Sequence, residues 1–295
     1  MKGYENYREG IIKALSNEIR KDGKEIAPGC WKGVTKDSYT HILPLDREKK
    51  PRMARIKAIQ DYLGIKIDKK ILSKKGSLHQ YAHHLNSSQL LCYMALRPLL
   101  TVDYHPTEAM RTLLASITKN TKNTKNCINI SEEAQCDFEY NDDMKWEQKN
   151  EPEGTSFDFH ISDIDKHEYF FEIKFTEDGF GKAKKDDEHE RKFNEVYLGK
   201  IKDVLNKEVT LDEGLKYYQL FRNIIRGDSD KKTIVLITDN NNPATKDELE
   251  KFQKKYMAGS KVNVIYLTWQ EVCEQWPENV EKPFQFTCFK PDFQL

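Results

Sequence analysis

Two runs of alternating apolar and polar residues, at 157–161 and 169–175, constrain the fold of this 295-residue chain more than any other stretch. In the first run, Phe157, Phe159 and Ile161 lie on one side of an extended chain, and Asp158 and His160 on the other. The second run places large apolar side chains at every second position, with Phe170 as the exception: Tyr169, Phe171, Ile173 and Phe175. This alternation predicts two half-buried β-strands. The short polar segment 162–168 between them predicts a β-hairpin.

The register of this hairpin decides which polar side chains meet. Because both apolar faces must point to the core, the polar faces also lie together. Two registers satisfy that condition: Asp158 lies opposite Glu172, across a three-residue turn around Asp165, or opposite Lys174. Either register gathers two carboxylates and an ammonium within cross-strand reach. Adjacent carboxylates repel unless a cation lies between them, and Mg²⁺ or Mn²⁺ suits oxygen ligands.

A solvated strand face with a cross-strand salt bridge is the competing interpretation of these charges. The tripeptide Glu172-Ile173-Lys174 is embedded in aromatic residues, with Phe170-Phe171 before it and Phe175 after it. This surrounding indicates a strand deep in a sheet. An interior strand has little reason to carry an unpaired carboxylate and a lysine, so the sequence favours a site.

The motif of Asp158 followed, fourteen residues later, by Glu172-Ile173-Lys174 resembles the PD-(D/E)XK signature of the restriction-endonuclease-like nuclease superfamily. Further stretches resemble a bacterial branch of restriction endonucleases: 153–159, 171–177, Gly179, Gly181, Ser87-Ser88-Gln89 and Tyr218-Gln219-Leu220. No proline precedes Asp158, a departure that is frequent in the superfamily.

The resemblance implies roles for these residues. Asp158 and Glu172, with the carbonyl of Ile173, would ligate Mg²⁺, with Mn²⁺ as the alternative. Lys174 would position or activate the attacking water. The resemblance also implies that DNA is the substrate, because the residues themselves do not separate DNA from RNA.

Two further positions follow from the same resemblance. A glutamate before the hairpin often completes the metal site in the superfamily, and Glu139 is preferred here, ahead of Glu108 and Glu133. A glutamine at the position of Gln219 often lines the site, although capping or surface polarity would also explain it. Surface carboxylates are the competing interpretation for each of the glutamates.

The remaining periodicities predict helices around a sheet. Apolar residues at helical spacing predict helices in 7–19, 78–100, 107–117, 182–205, 215–225 and 246–256, and apolar runs predict strands in 136–140, 233–238, 262–267 and, at an edge, 283–289. The strand–helix–strand order over 233–267 implies a parallel crossover. We therefore predict an α/β protein with a restriction-endonuclease-like core in residues 80–295. Its mixed central β-sheet is flanked by helices and preceded by a helical N-terminal extension, residues 1–79.

The charge balance requires a nucleic-acid surface to be local. Lys plus Arg and Asp plus Glu number 48 each, so there is no overall basic excess. Arg52 and Arg55 belong to the densest basic run, and Lys182, Lys184 and Lys185 follow the hairpin. Each group would contact a phosphate backbone, or it is a solvated surface.

Other features predict a cytoplasmic protein. No apolar run has membrane-spanning length, and the N-terminus has no apolar signal region. The six cysteines form no Cys-x-x-Cys pair, which argues against a zinc ribbon.

Three functions fit these observations. The leading hypothesis is a Mg²⁺-dependent endonuclease that hydrolyses DNA phosphodiester bonds, related to restriction and defence. A second is a catalytically silent nucleic-acid-binding or assembly protein on the same fold. A third is a repair or recombination nuclease that resolves junctions. An obligate homodimer that cuts branched DNA would favour the third, and cleavage of linear duplex at a fixed sequence would favour the first.

Overall fold

The computed structural model describes residues 2–21, 30–31, 34–36, 39–68, 79–119, 127–141 and 156–290. Residues 120–126 and 142–155, which include the first three residues of the resembling stretch 153–159, lie outside this part of the chain. Contacts group the chain into unit 1, Met1–Pro98 with Glu278–Leu295, and unit 2, Leu99–Pro277. The division expected after residue 79, into an N-terminal extension and a nuclease-like core, stays a prediction.

Unit 1 is mainly helical in its described residues. Its elements are α1 (Lys2–Lys21), β1 (Cys30–Trp31), β2 (Val34–Thr35), α2 (Pro51–Leu63) and α3 (Ser88–Leu96), with β1 and β2 antiparallel. The apolar spacing that predicts α1 is confirmed, because Ile11, Leu15 and Ile19 are buried. Helix α3 begins where Ser87 Oγ accepts the N–H of Leu90, at 3.4 Å.

The predicted edge strand at 283–289 is wrong. Residues Phe284–Phe289 form a 3₁₀-helix in unit 1 and pack against α1. Phe286 and Phe289 are both buried and three residues apart, which is the repeat of a 3₁₀-helix. A segment this short satisfies either period, so the apolar pattern alone did not separate strand from helix.

The helices of unit 2 flank its sheet. They are α4 (Glu108–Lys119), α5 (Asp187–Lys192), α6 (Leu198–Leu205), α7 (Leu211–Lys216), α8 (Tyr218–Ile224), α9 (Pro243–Phe252) and α10 (Trp269–Glu274). One π-helical turn, Phe193–Tyr197, joins α5 to α6, and another, Gln253–Met257, extends α9.

Three predicted helices differ from those observed. The helix expected in 78–100 begins only at Ser88, because residues 79–87 form turns and an isolated bridge between His84 and Ile42. The helix expected from residue 182 begins at Asp187, because Asp186 caps it and the Ala183 N–H bonds to the Leu215 carbonyl, at 2.9 Å. The helix expected over 215–225 is divided at Tyr217 into α7 and α8. At the start of α8, the Gln219 N–H bonds to the Gly181 carbonyl, at 3.2 Å. These last two differences therefore share one cause, which is the hydrogen bonding of residues 181–183 to the helices on either side of Tyr217.

In the described part of unit 2, five strands form one mixed sheet in the order β3-β4-β5-β6-β7. They are β3 (Gln135–Asn141), β4 (Ser156–Ser162), β5 (Glu168–Ile173), β6 (Lys232–Thr238) and β7 (Asn263–Thr268). β3, β4 and β5 pair antiparallel, whereas β5, β6 and β7 pair parallel. The predicted mixed sheet and parallel crossover are confirmed, and β5 is its central strand.

The hairpin between β4 and β5 has the first of the two predicted registers. Phe159 pairs with Phe171 and Ser162 with Glu168, so the same register continued by one residue places Asp158 opposite Glu172. The three-residue turn is closed by the Asp163 N–H and the His167 carbonyl, 2.8 Å apart.

The alternation of β4 breaks at Asp158. Phe159 packs against Phe171, but Phe157 packs against Phe170, with ring centroids 5.1 Å apart, so Phe157 does not share the face of Phe159 as predicted. On the neighbouring β3, Glu139 lies between the paired residues on either side and has φ +49°, so the backbone is irregular at the same level of the sheet. The prediction of a half-buried β5 is also wrong, because both its faces are covered.

Candidate active site

The carboxylate of Glu172 is the centre of the candidate site. It lies near the end of β5 and is almost fully buried. Its Oε1 accepts from the Lys174 Nζ, at 2.8 Å, and from the Gln219 Nε2, at 2.7 Å. Its Oε2 accepts from the Asn223 Nδ2, at 3.0 Å. An ionised carboxylate has about four acceptor positions, so these three donors leave room for a further partner.

Asp158 provides a second carboxylate beside the first. Its Oδ2 accepts the Ile173 N–H, at 2.7 Å, where the paired residues of β4 and β5 end. Burial, followed by the negative charges of Glu172 and Glu139, raises the pKa of Asp158 well above its usual value. Crowded carboxylates that a nearby cation would relieve are therefore present at this end of β5.

Lys174 is a buried ammonium held against these carboxylates. Its N–H bonds to the Ile237 carbonyl of β6, at 2.9 Å, and its carbonyl accepts from the Trp269 indole, at 3.3 Å. Burial would lower the pKa of Lys174, but Glu172, Glu177 and Asp158 outweigh it and raise the pKa above its usual value. Lys174 is therefore positively charged at neutral pH, and it can orient a water or stabilise an anion without losing its proton.

A tight turn after β5 packs against the site. Gly181, at φ +117°, approaches Gln219 so closely that an added Cβ would lie 2.7 Å from Oε1. That Oε1 accepts from Lys174, at 3.0 Å. Gly179, at φ +89°, leaves no room for a Cβ beside Glu248. The turn at these two glycines thus brings residues 179–181 against α8 and α9.

Two residues of this region were missed by the sequence analysis. Asn223 lies one helical turn after Gln219, a spacing that places both on one face of α8. Its Oδ1 is buried and has no hydrogen-bond partner in the described structure, which costs about 1–3 kcal/mol. Glu248 accepts the Phe180 N–H, at 3.1 Å, and burial raises its pKa. No pattern in the sequence predicted that Glu248, on α9, would reach this turn.

The three candidate upstream glutamates are placed differently. Glu139 stands at the β3 position facing Asp158, its charge helps to raise the pKa of Asp158, and its Oε2 accepts from Ser156 Oγ, at 3.3 Å. Glu108 pairs with Arg111 on an exposed part of α4, and Glu133 is exposed. The preference for Glu139 as a metal ligand stays a prediction.

The predicted phosphate-contacting residues fall into two groups. Lys182, Lys184 and Lys185 are exposed and directly follow the glycine turn, with Lys185 paired to Asp212 at 2.9 Å. Arg52 and Arg55 lie on α2, in unit 1, and both are half-buried.

Oxygen donors of the kind that Mg²⁺ prefers are gathered here. Within the described residues, no group of three or more His, Cys, Asp or Glu side chains is arranged to hold a metal. A cation would thus use the carboxylates of Asp158 and Glu172 and complete its coordination with backbone and water oxygens. The pKa of Asp158 is raised first by burial and then by the charges of Glu172 and Glu139, and a cation between the two carboxylates would relieve that repulsion.

Across the described ranges, no helix combines the length and the apolar character needed to cross a bilayer.

The fold is a mixed sheet, and Asp158, Glu172 and Lys174 meet at the end of its central strand. This combination defines a restriction-endonuclease-like protein. The family model described as Restriction Endonuclease associating with ARP matches residues 50–287. The chain therefore belongs to that family. Searches of curated proteins and of solved structures find no match.

Proposed function

We propose that the protein is a metal-dependent endonuclease that hydrolyses phosphodiester bonds of DNA, in a restriction or defence role. The observation that carries the proposal is the meeting of Asp158, Glu172 and Lys174 at the end of β5. Family membership supports a nuclease, and DNA is the substrate that the family description suggests. A cytoplasmic setting, where DNA is accessible, belongs to the same proposal.

Asp158 and Glu172 would hold Mg²⁺, with Mn²⁺ as an alternative, and the carbonyl of Ile173 is the proposed further ligand. Glu139 does not form a three-carboxylate group with them as the side chains stand, so it would ligate the cation only after turning toward it. The bound cation would polarise the scissile phosphate and neutralise charge developing on it. Lys174 would orient the attacking water and stabilise the phosphate charge as the water oxygen bonds to phosphorus and the leaving oxygen departs. Gln219 would keep the Lys174 ammonium in place, because it bonds both Lys174 and Glu172.

The DNA backbone would approach over the glycine turn. Lys182 and Lys184 are exposed there, and Lys182 contributes positive charge near Glu248. Exposed lysines beside the proposed metal site suit a polyanion such as DNA, which would bind along the surface and present one phosphate to the site. Phosphate contacts by Arg52 and Arg55 of α2 remain a further part of the proposal.

The experiment combines Mg²⁺ titration by calorimetry with plasmid nicking on the same samples. Glu172→Gln keeps the shape of the side chain but removes its charge, so we expect it to lose both metal binding and nicking. Lys174→Met keeps both carboxylates, so it should still bind the metal while nicking falls by about 100-fold or more. Lys231→Met is the matched control, because it removes an exposed lysine of unit 2 that pairs with Asp165.

The outcomes separate the candidate functions. If the wild-type protein does not bind the metal and shows no metal-dependent nicking, the nuclease proposal is refuted and a binding or assembly protein is favoured. Nicking that survives in Glu172→Gln would place the chemistry elsewhere. Preference for branched DNA, together with a dimer by light scattering, would move the assignment to a junction-resolving nuclease.

A further inference from the structure

The two oxygens of Glu172 are held by different sets of donors. Oε1 is shared by Lys174 and Gln219, which also bond to each other. Oε2 receives the Nδ2 of Asn223, and this donor comes from a side chain with no exposed surface. Gln219 therefore connects the carboxylate to the lysine, whereas the Asn223 amide bonds to the carboxylate alone in the described structure.

Chemistry fixes the orientation of the Asn223 amide. A carboxylate only accepts hydrogen bonds when ionised, so the amide must turn its NH₂ group toward Glu172. Its oxygen then points away, and in the described structure that oxygen is buried without a hydrogen-bond partner. An apolar side chain of similar shape would avoid this orphaned oxygen. The same replacement would also leave the buried Glu172 Oε2 without this donor, so the asparagine is explained by what it donates to Glu172 and not by its own packing, and such local conflicts are typical of functional sites.

We infer that Asn223 is a positioning residue for metal binding: it fixes the rotation of the Glu172 carboxylate so that the remaining acceptor position on Oε2 can take the cation. This inference rests on the proposed nuclease function. It assigns separate tasks to the two amides of α8. Gln219 acts on the lysine and the carboxylate together, whereas Asn223 acts on the affinity for the metal through Glu172.

This division of tasks predicts a specific kinetic pattern. Loss of a group that orients a metal ligand typically lowers metal affinity or activity by about 10–100-fold. For Asn223→Ala, we expect the Mg²⁺ dissociation constant and the Mg²⁺ concentration for half-maximal nicking to rise together by about that factor. The nicking rate at saturating Mg²⁺ should stay close to the wild-type rate, because Lys174 and Gln219 keep their contacts.

The experiment uses the full chain, with Mg²⁺ titrated by calorimetry and nicking followed against Mg²⁺ concentration. Asn223→Leu is the second variant, since it replaces the amide by an apolar branch of the same shape and removes the orphaned oxygen. Leu220→Ala is the matched control: this residue lies on α8 and is fully buried, so its truncation weakens the same helix without removing a donor to Glu172. Thermal unfolding in the presence of a chelator measures the stability of each variant.

The inference is supported when both Asn223 variants shift the metal dependence and Leu220→Ala does not. It is overturned when wild type and the Asn223 variants share one metal dependence, or when Leu220→Ala shifts it equally. In these cases the wild-type protein still binds metal and nicks DNA, so the proposed function stands. A wild type that does neither removes both the proposed function and the inference.

Discussion

The crowding of carboxylates predicts that Asp158→Asn makes the metal-free protein more stable. Asparagine keeps an oxygen that can accept the Ile173 N–H, which Asp158 Oδ2 accepts at 2.7 Å. It removes the negative charge that burial, Glu172 and Glu139 all disfavour. Relieving such a functional-site conflict typically gains about 1–2 kcal/mol. For a domain of this size, that gain corresponds to a rise of about 2–8 °C in Tm.

The stability advantage of Asp158→Asn over the wild type should grow as the pH rises. The pKa of Asp158 is raised in the folded state, whereas in the unfolded chain it is about 3.9. The wild type therefore loses stability relative to the variant as the pH rises from about 4 through the raised folded pKa. Thermal unfolding with a chelator should show a larger advantage for Asp158→Asn at pH 8 than at pH 5.

A matched aspartate on the same hairpin is the control. Asp165 is exposed, and the His167 N–H and Lys231 lower its pKa, so Asp165→Asn should not gain stability. A wild-type protein as stable as Asp158→Asn at pH 8 would refute the crowded-carboxylate argument. An advantage that shrinks with rising pH would refute it as well.

Two further predictions concern the turn after β5. Gly179→Ala should destabilise the protein by about 1–3 kcal/mol in urea unfolding, because φ is +89° and the new Cβ would overlap Glu248. Gly259→Ala is the control, at φ +77° with no atom within 4 Å, and should destabilise the protein less. Equal losses of stability in the two variants would contradict the overlap. Lys182→Ala should lower DNA affinity and reduce the slope of log affinity against log salt by about 0.9. Lys185→Ala should change both less, because its ammonium is already paired with an acidic side chain, and identical slopes for both variants and wild type would exclude phosphate contacts here.

Local patterns predicted the centre of the sheet well. The alternation around Asp158 and Glu172 and the short segment between the strands allowed two registers, and the three-residue turn that closes the observed one was among the possibilities. The parallel crossover followed from strand–helix–strand order, because that connection requires it. These features depend on neighbours in the sequence, which is why the sequence contains them.

Features that depend on distant residues were not predictable in the same way. The change of face at Phe157 coincides with an irregular backbone at Glu139, on another strand, and alternation within β4 carries no signal for it. Asn223 and Glu248 reach the site only because α8 and α9 pack against the turn after β5. The helical form of residues 284–289 depends on packing against α1, which a six-residue pattern does not reveal.

The placement of β5 between an antiparallel and a parallel neighbour also bears on how the chain folds. The β4–β5 hairpin joins residues close in sequence and can form within about 1–10 μs. Strand β6 and the two amides of α8 come later in the chain, and Gln219 and Asn223 are separated from Glu172 by 47 and 51 residues. Such long-range contacts form slowly, because loop closure must precede them. A nascent chain that has made only the hairpin would carry both carboxylates without the hydrogen-bond partners of Glu172, so the proposed cleavage activity would arise only after most of unit 2 has been synthesised and packed.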